Sequence, residues 1–160
     1  MRELPTRKCL RLSGFNYASA GHYYVTICVK DKHEVLGKIV GATRDGRPRV
    51  CLSDIGQIVD GALIYYNENH PSIKIDNYVI MPNHIHAIVA IQNGTGDRGR
   101  SPLQYIVRNL KSFVTKQIGY SIWQKSFHDR IIRNQEKYQR IWQYIDENPA
   151  NWEEDDYFIM

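Results

Sequence analysis

The sequence predicts one α+β domain built on a ferredoxin-like β-α-β-β-α-β antiparallel sheet. The chain has 160 residues, the length of a single domain, so we treat residues 1–160 as one unit. Apolar residues make up 42% of the chain, enough for a packed core and too many for a disordered protein. Strand-like and helix-like segments alternate in the split β-α-β-β-α-β order.

The first strand and an inserted hairpin come from the N-terminal third of the chain. Residues 22–30 (HYYVTICVK) are rich in β-branched and aromatic side chains, which is typical of a strand. Residues 35–52 predict a β-hairpin whose turn contains Asp45-Gly46. This hairpin interrupts the ferredoxin-like order, so we expect it to stand beside the main sheet.

A helix and two strands follow the hairpin. Ser53 or Asp54 can cap the helix, whose apolar residues recur at helical spacing over residues 55–66. Residues 73–81 and 85–91 are apolar and predict two neighbouring strands. These segments complete the first half of the split arrangement and begin the second.

The last third predicts a helix, a short strand and an extra helix. Ser101-Pro102 has the cap-then-proline order that begins a helix. Residues 127–133 predict the fourth strand of the sheet, and Asn134 can cap the final helix. At helical spacing this helix carries a stripe that we expect to be buried on the sheet face opposite the other two helices: Tyr138, Ile141, Trp142 and Ile145.

The net charge of +4 conceals blocks of opposite sign. Residues 1–50 hold ten Lys/Arg against four Asp/Glu, and residues 98–140 hold ten against two; residues 51–97 and 141–160 carry net charges of −4 and −6. The basic blocks can converge on one phosphate-binding face, or they can be solvated surfaces that never meet. The candidate nucleic-acid contacts are the cations of the hairpin and the second long helix: Arg44, Arg47, Arg49, Arg108, Lys111 and Lys116.

Composition excludes several classes of protein. No apolar run is long enough to span a bilayer, and the N-terminus lacks the apolar stretch of a signal peptide. Cys9, Cys28 and Cys51 form no CxxC pair, which favours a reducing compartment over a disulfide framework. The acidic segment at residues 153–158 (EEDDYF) predicts a solvated tail, which could also mask a basic groove.

Two histidines at the start of a predicted strand form the first candidate site. His84 and His86 flank one apolar residue, and side chains alternate along a strand, so both imidazoles should point to the same face. Two imidazoles so placed can bind one divalent cation. Two half-buried histidines satisfied by hydrogen bonds would show the same spacing, so spacing alone leaves both interpretations open.

A second candidate pair lies on the last helix. Tyr144 and Asn148 are one turn apart on the same flank of the apolar stripe and can therefore point at one site. A tyrosine at the edge of a buried stripe and an asparagine that ends a helix before Pro149 are the ordinary alternatives.

Three segments, spread over most of the chain, resemble a known family. They are residues 11–32 (RLSGFNYASAGHYYVTICVKDK), 78–89 (YVIMPNHIHAIV) and 126–152 (SFHDRIIRNQEKYQRIWQYIDENPANW). The HxH pattern is that of the HUH nucleases of single-stranded DNA, and the wider match resembles the single-tyrosine transposases, most closely the REP-associated tyrosine transposases. By this resemblance the fold is ferredoxin-like and the extra C-terminal helix carries the nucleophile.

The resemblance also implies roles for individual residues. It makes His84 and His86 metal ligands, Tyr144 the nucleophile, and Asn148 the third metal ligand, at a position where many relatives carry glutamine. Tyr138 on the same helix lies in the predicted buried stripe, which leaves Tyr144 as the better nucleophile. The resemblance assigns no roles to the neighbouring polar residues, for which structural hydrogen bonding is the expectation: His128, Asp129 and Arg133.

The implied activity is metal-dependent cleavage and rejoining of single-stranded DNA through a covalent phosphotyrosine, in transposition. Mg²⁺ and Mn²⁺ both suit such a site. The implied partner is single-stranded DNA with hairpin-forming palindromic repeats, bound by a monomer or a homodimer in the bacterial cytoplasm at the nucleoid, with no membrane partner. Two other functions remain open: a domesticated, non-catalytic nucleic-acid-binding domain on the same fold, and a metal-dependent phosphohydrolase.

Overall fold

The computed structural model describes residues 20–41, 46–92 and 101–158. Three sequence predictions fall wholly or partly outside these residues. They are the DNA contact at Arg44, the Asp45 half of the hairpin turn and the first part of the segment 11–32.

The described residues form two sheets and three α-helices in the predicted order. Among them, no helix combines the length and the apolarity that crossing a membrane requires. In chain order the elements are β1 (Gly21–Cys28), β2 (Gly37–Val40), β3 (Arg49–Leu52), α1 (Asp54–Asn69), β4 (Ile73–Ile80), β5 (His84–Ile91), α2 (Pro102–Ile118), β6 (His128–Ile132) and α3 (Gln135–Glu147).

The main sheet has the strand order β4-β5-β1-β6, and every neighbouring pair is antiparallel. Each β-α-β unit therefore places one strand between the two strands of the other, which is the ferredoxin-like arrangement that the sequence predicts. The strands β2 and β3 form a separate two-stranded sheet, so the hairpin prediction is also confirmed.

Each long helix is preceded by a cap residue. Its side chain bonds to a backbone N–H group of the first turn, which has no carbonyl partner within the helix. In every case the side-chain oxygen accepts a hydrogen bond from the backbone N–H three residues further on, which typically stabilises a helix by about 1 kcal/mol. The three cap residues are Ser53, Ser101 and Asn134. All three lie where the sequence predicts a cap, and of the two candidates for α1 the structure uses Ser53.

The two faces of the main sheet are covered unequally. Residues Ile85, Ala87 and Val89 of β5 point into the large core, which α1 and α2 cover. The alternate residues of β5 point to the opposite face, where a small cluster of Ile88, Ile132 and Ile145 lies beneath α3. His84 and His86 share that second face, so the common orientation predicted from strand alternation is confirmed.

The packing of α3 departs from the predicted buried stripe. Ile145 is buried, but Tyr138 and Ile141 are only half-buried and Trp142 is 37% exposed. The reason is that the small second cluster offers few apolar partners. Polar contacts tie α3 to β4 instead: the Tyr138 hydroxyl donates to Asp76 Oδ2 at 2.9 Å, and an amide N–H of Asn77 donates to Asp146 at 3.0 Å.

The acidic C-terminal segment is folded against the sheet, so the prediction of a solvated tail is only partly right: Glu153, Glu154 and Asp156 are exposed, whereas Asp155 turns inward. After α3 the chain turns through a 3₁₀ helix at Trp152–Glu154 and returns towards β5. Two hydrogen bonds hold it there: Asn83 Nδ2 donates to the carbonyl of Tyr157 at 2.7 Å, and Lys32 Nζ donates to the carbonyl of Asp156 at 2.9 Å. These bonds fix the backbone of the segment and leave most of its charged side chains in water.

Candidate metal and tyrosine site

The two histidines face each other at the beginning of β5. Their Nε2 atoms are 2.9 Å apart, and the two side chains are almost completely buried. Two ligand atoms at right angles around one small cation, each about 2.1 Å from it, lie about 3 Å apart. The spacing of His84 and His86 therefore fits two ligands of a single divalent ion.

Hydrogen bonds on the far side of each ring hold the imidazoles in place. Asn83 donates through Nδ2 to two carbonyls, so its Oδ1 faces His84 Nδ1, at 2.8 Å, as an acceptor. His84 must then carry its proton on Nδ1, which leaves the Nε2 lone pair free for a metal. His86 Nδ1 lies 2.8 Å from the Tyr24 hydroxyl and 2.9 Å from that of Thr26.

These hydroxyl partners allow His86 to adopt either tautomer. A hydroxyl can donate or accept, so Tyr24 and Thr26 can bond to a protonated or an unprotonated Nδ1. Without a cation, His86 can donate its Nε2 proton to His84; with one, it can carry the proton on Nδ1 and turn a lone pair inward. The surrounding residues therefore accommodate both the metal-free and the metal-bound histidine pair.

Burial keeps both imidazoles neutral. It lowers the pKa of His84 to about 3, with the positive charge of Lys32 as a second cause. It also lowers the pKa of His86 to about 3, and the proximity of His84 adds to the effect. Neutral imidazole is the form that binds a metal, so the pair is ready to act as ligands at physiological pH.

Because both histidines are held neutral, we expect the free energy of unfolding of the metal-free protein to fall in acid. An unfolded histidine takes up a proton below about pH 6.5, whereas the native pair resists protonation until about pH 3. The stabilising contribution is thus present above pH 6.5 and lost as the pH falls. Between pH 6.5 and 5 we expect a loss of about 1.6 kcal/mol for each histidine.

Denaturant unfolding in EDTA across this pH range tests that expectation. The exposed His33 offers a matched control, because His33→Gln removes a histidine without touching the buried pair. His33→Gln should keep the slope of unfolding free energy against pH. A flat profile for the wild-type protein would show that the buried pair is not held neutral.

Asp155 adds a carboxylate to the pair and was missed by the sequence interpretation. One ligand atom from each of His84, His86 and Asp155 can be chosen so that all three lie within 4.8 Å of one another. The Asp155 side chain is only 1% exposed, and its Oδ2 lies 3.9 Å from His84 Nε2. The residue belongs to a run of four acids with no distinctive spacing, so only the return of the tail identifies it.

Asn148, the predicted third ligand, lies beside this carboxylate. Its Nδ2 donates to Asp155 Oδ2 at 3.0 Å, and its buried Oδ1 has no hydrogen-bond partner among the described residues. A buried amide oxygen without a partner is typical of a site that binds a polar ligand or an ion, so Asn148 fits such a site. In this arrangement, however, Asn148 turns its nitrogen towards the carboxylate.

Tyr144 shares the same carboxylate. Its hydroxyl donates to Asp155 Oδ2 at 3.4 Å, and its ring centroid lies 5.5 Å from that of His86. The side chain is 45% exposed, so a substrate can reach it. Burial raises the pKa of Tyr144 and the negative charge of Asp155 adds to the shift, so the hydroxyl stays protonated without an added positive charge.

An open cleft of about 410 Å³ lies beside Tyr144 and His86. Its other walls come from β1, β6 and the returning tail, and include Tyr24, Thr26, His128 and Arg130. The strand residues Tyr24 and Thr26 could have been found from the sequence, since they place hydroxyl groups two residues apart, and so on one face, of the first strand. The cleft has room for a small polar group next to the tyrosine hydroxyl.

Of the predicted DNA contacts on the hairpin, the two within the described residues, Arg47 and Arg49, are not gathered at the histidines. Arg47 lines a separate cleft of about 320 Å³ together with Tyr138 and Trp142, on the outer side of α3. Arg49 is exposed on β3. Their role in binding nucleic acid stays a prediction.

The cations of α2 lie on a helix that covers the other face of the sheet. Arg108 and Lys116 are exposed there. Lys111 donates to the carbonyls of Gln124 and Ser126, at 2.7 and 2.9 Å, and so secures the loop before β6. Any contact that Arg108 or Lys116 makes with DNA would lie across the sheet from Tyr144.

Comparison with known proteins supplies relatives in sequence and in structure. No protein-family model matches the chain. An uncharacterised protein of Haemophilus influenzae is 31% identical over an alignment of 174 residues. The alignment covers 96% of this chain and 93% of that protein. The chain belongs to the same family as this protein. Because the Haemophilus influenzae protein is itself uncharacterised, the sequence similarity does not indicate a function.

The structural comparison identifies the fold. The structure of a REP-associated tyrosine transposase bound to a REP hairpin superimposes with a TM-score of 0.62 and 23% sequence identity, covering 83% of this chain and 68% of that one. The chain therefore has the fold of a REP-associated tyrosine transposase. This is the fold that the sequence resemblance predicts.

Proposed function

We propose that the protein is a metal-dependent DNA strand transferase that uses Tyr144 as its nucleophile. One observation carries the proposal: the Tyr144 hydroxyl, at 3.4 Å, and His84 Nε2, at 3.9 Å, both lie beside the same buried carboxylate oxygen, Asp155 Oδ2, and His84 faces His86. A nucleophile, a neutral ligand pair and an open cleft are thus assembled at one place. The fold shared with a transposase that binds a hairpin supports single-stranded DNA with hairpin-forming repeats as the substrate.

The proposed cation site consists of His84, His86 and Asp155. Asn148 orients the carboxylate through its amide N–H in the arrangement described here. When bound, Mg²⁺ or Mn²⁺ would supply positive charge to the phosphate oxygens and to the tyrosine oxygen. Neutralising Asp155 would remove one cause of the raised pKa of Tyr144 and so favour attack.

The transfer conserves the number of phosphoester bonds. The Tyr144 oxygen forms a bond to phosphorus while the bond from phosphorus to the 3′-oxygen breaks. The tyrosine loses one proton and the departing 3′-oxygen gains one. A different 3′-hydroxyl can then attack the phosphotyrosine and release Tyr144, so rejoining needs no nucleotide triphosphate.

Detection of a covalent adduct tests the proposal. The wild-type protein is incubated with labelled oligonucleotides that carry an imperfect palindromic hairpin and single-stranded flanks, with Mg²⁺ or Mn²⁺. We expect a labelled band that survives denaturing electrophoresis, disappears with EDTA and is destroyed by protease. Hairpin binding without an adduct would instead indicate a non-catalytic binding domain, and turnover of a small phosphodiester without an adduct would indicate a phosphohydrolase.

A further inference from the structure

The outer strand β6 places two nitrogen donors on the same face as the histidines. Residues directly opposite each other in neighbouring strands share a face, and the register pairs Tyr24 with Arg130 and Thr26 with His128. Tyr24 and Thr26 both bond to His86. His128 and Arg130 must therefore face the same side of the sheet as the candidate site.

Both side chains line the cleft that also exposes Tyr144. Neither has a hydrogen bond or an ion pair with another residue of the described ranges, so their N–H groups remain available to a ligand. Asp129, between them, is buried and pairs in register with Val25, whose side chain belongs to the large core. Strand alternation thus turns the side chain of Asp129 towards the face opposite His128 and Arg130, although the residue still borders the cleft.

The chemistry of these two groups suits a phosphate. A guanidinium presents several N–H groups in a planar fork that matches two phosphate oxygens and stays positively charged. An imidazole offers at least one N–H donor in every protonation state. Asp156 borders the cleft on the tail side and Asp129 borders it on β6, so the guanidinium of Arg130 is the group in the lining that would attract an anion.

We propose that Arg130 and His128 bind the phosphate that Tyr144 attacks, so that β6 forms the anion-binding wall of the site. The inference rests on the proposed strand-transfer function and extends it to two residues for which the sequence suggests no role. Arg130 supplies the charge and the paired N–H contacts. His128 supplies a further donor, and the phosphate is held between them and the tyrosine hydroxyl.

Arg133 provides a matched control. It follows β6 directly and is exposed, but it lines a different cleft, with His22 and Asn134. Arg130→Gln and Arg133→Gln remove the same charge from nearly the same stretch of chain. A general electrostatic effect on DNA would therefore change both variants alike, and a specific phosphate contact would change only the first.

Rates of adduct formation on the labelled hairpin oligonucleotides are measured for both variants. Loss of a charged hydrogen-bonded contact should lower kcat/KM of Arg130→Gln about tenfold to a hundredfold. Arg133→Gln should remain within about threefold of wild type. Arg130→Lys should fall between the two, because lysine keeps the charge and loses the planar fork. His128→Ala should lower kcat/KM several-fold, with partial recovery in His128→Gln, which retains an N–H donor.

Hairpin binding, followed by fluorescence anisotropy in EDTA, separates failure of this inference from failure of the proposed function. If wild type forms the adduct and Arg130→Gln forms it at the same rate as Arg133→Gln, the phosphate contact of Arg130 is wrong and the strand-transfer function is kept. If no adduct forms but Arg130→Gln alone weakens hairpin binding, Arg130 contacts a phosphate of the DNA, and strand transfer by Tyr144 is wrong. If the two variants also bind alike and no adduct forms, both are wrong.

Discussion

Tyr144→Phe is expected to abolish the covalent protein–DNA adduct, lowering its yield by more than about a thousandfold. The substitution removes a single oxygen, and that oxygen is the proposed nucleophile. The native hydroxyl makes a long hydrogen bond to Asp155, at 3.4 Å, and also interacts with the Asn148 side chain, and the ring keeps its contacts. The free energy of unfolding should therefore change by no more than about 0.5 kcal/mol, and hairpin affinity should stay within about twofold.

Tyr138→Phe is the matched control for this experiment. Tyr138 lies on the same helix and loses the same atom, but its hydroxyl donates to Asp76 on β4. We expect a loss of about 1 kcal/mol in stability and full adduct formation. An adduct that persists in Tyr144→Phe, or one that disappears in Tyr138→Phe, would contradict the assignment of the nucleophile.

A divalent cation is expected to stabilise the wild-type protein and to lose that effect when a histidine of the pair is replaced. At a cation concentration one hundred times Kd the native state gains about 2.7 kcal/mol. For a chain of this size, that gain should raise Tm by about 5 to 10 °C. His86→Gln should show no rise with Mn²⁺ or Mg²⁺, because one of the two facing nitrogen ligands is gone.

His22→Gln controls for non-specific cation effects, since His22 is half-exposed and pairs with Asp76 away from the site. It should keep the full rise in Tm. A rise that survives His86→Gln would place the cation elsewhere.

The same measurement distinguishes the two candidates for the third ligand. Asp155→Asn should weaken cation binding more than Asn148→Ala if the carboxylate is a direct ligand, as proposed here. The reverse order would support Asn148, the ligand that the family resemblance implies. A higher adduct yield in Asp155→Asn would mean that this carboxylate opposes the reaction instead of holding the cation.

Most of the fold follows from local patterns. The cap residues and the bounds of the strands and helices lie within a few residues of their predicted places, because capping and periodicity depend on neighbours in the chain. The shared face of His84 and His86 follows from strand alternation in the same way. The exposure of Trp142 could not be foreseen, since it depends on how much apolar surface the sheet offers to α3.

The sequence by itself determined the ferredoxin-like order, the histidine pair and the exposed tyrosine on the last helix. Only the tertiary structure brought Asp155 to them and placed Arg130 and His128 along the cleft. The physical reason is that these groups meet through contacts between distant segments. A register between β1 and β6 and two hydrogen bonds to the backbone of the tail decide those contacts, and no local pattern in the chain encodes either.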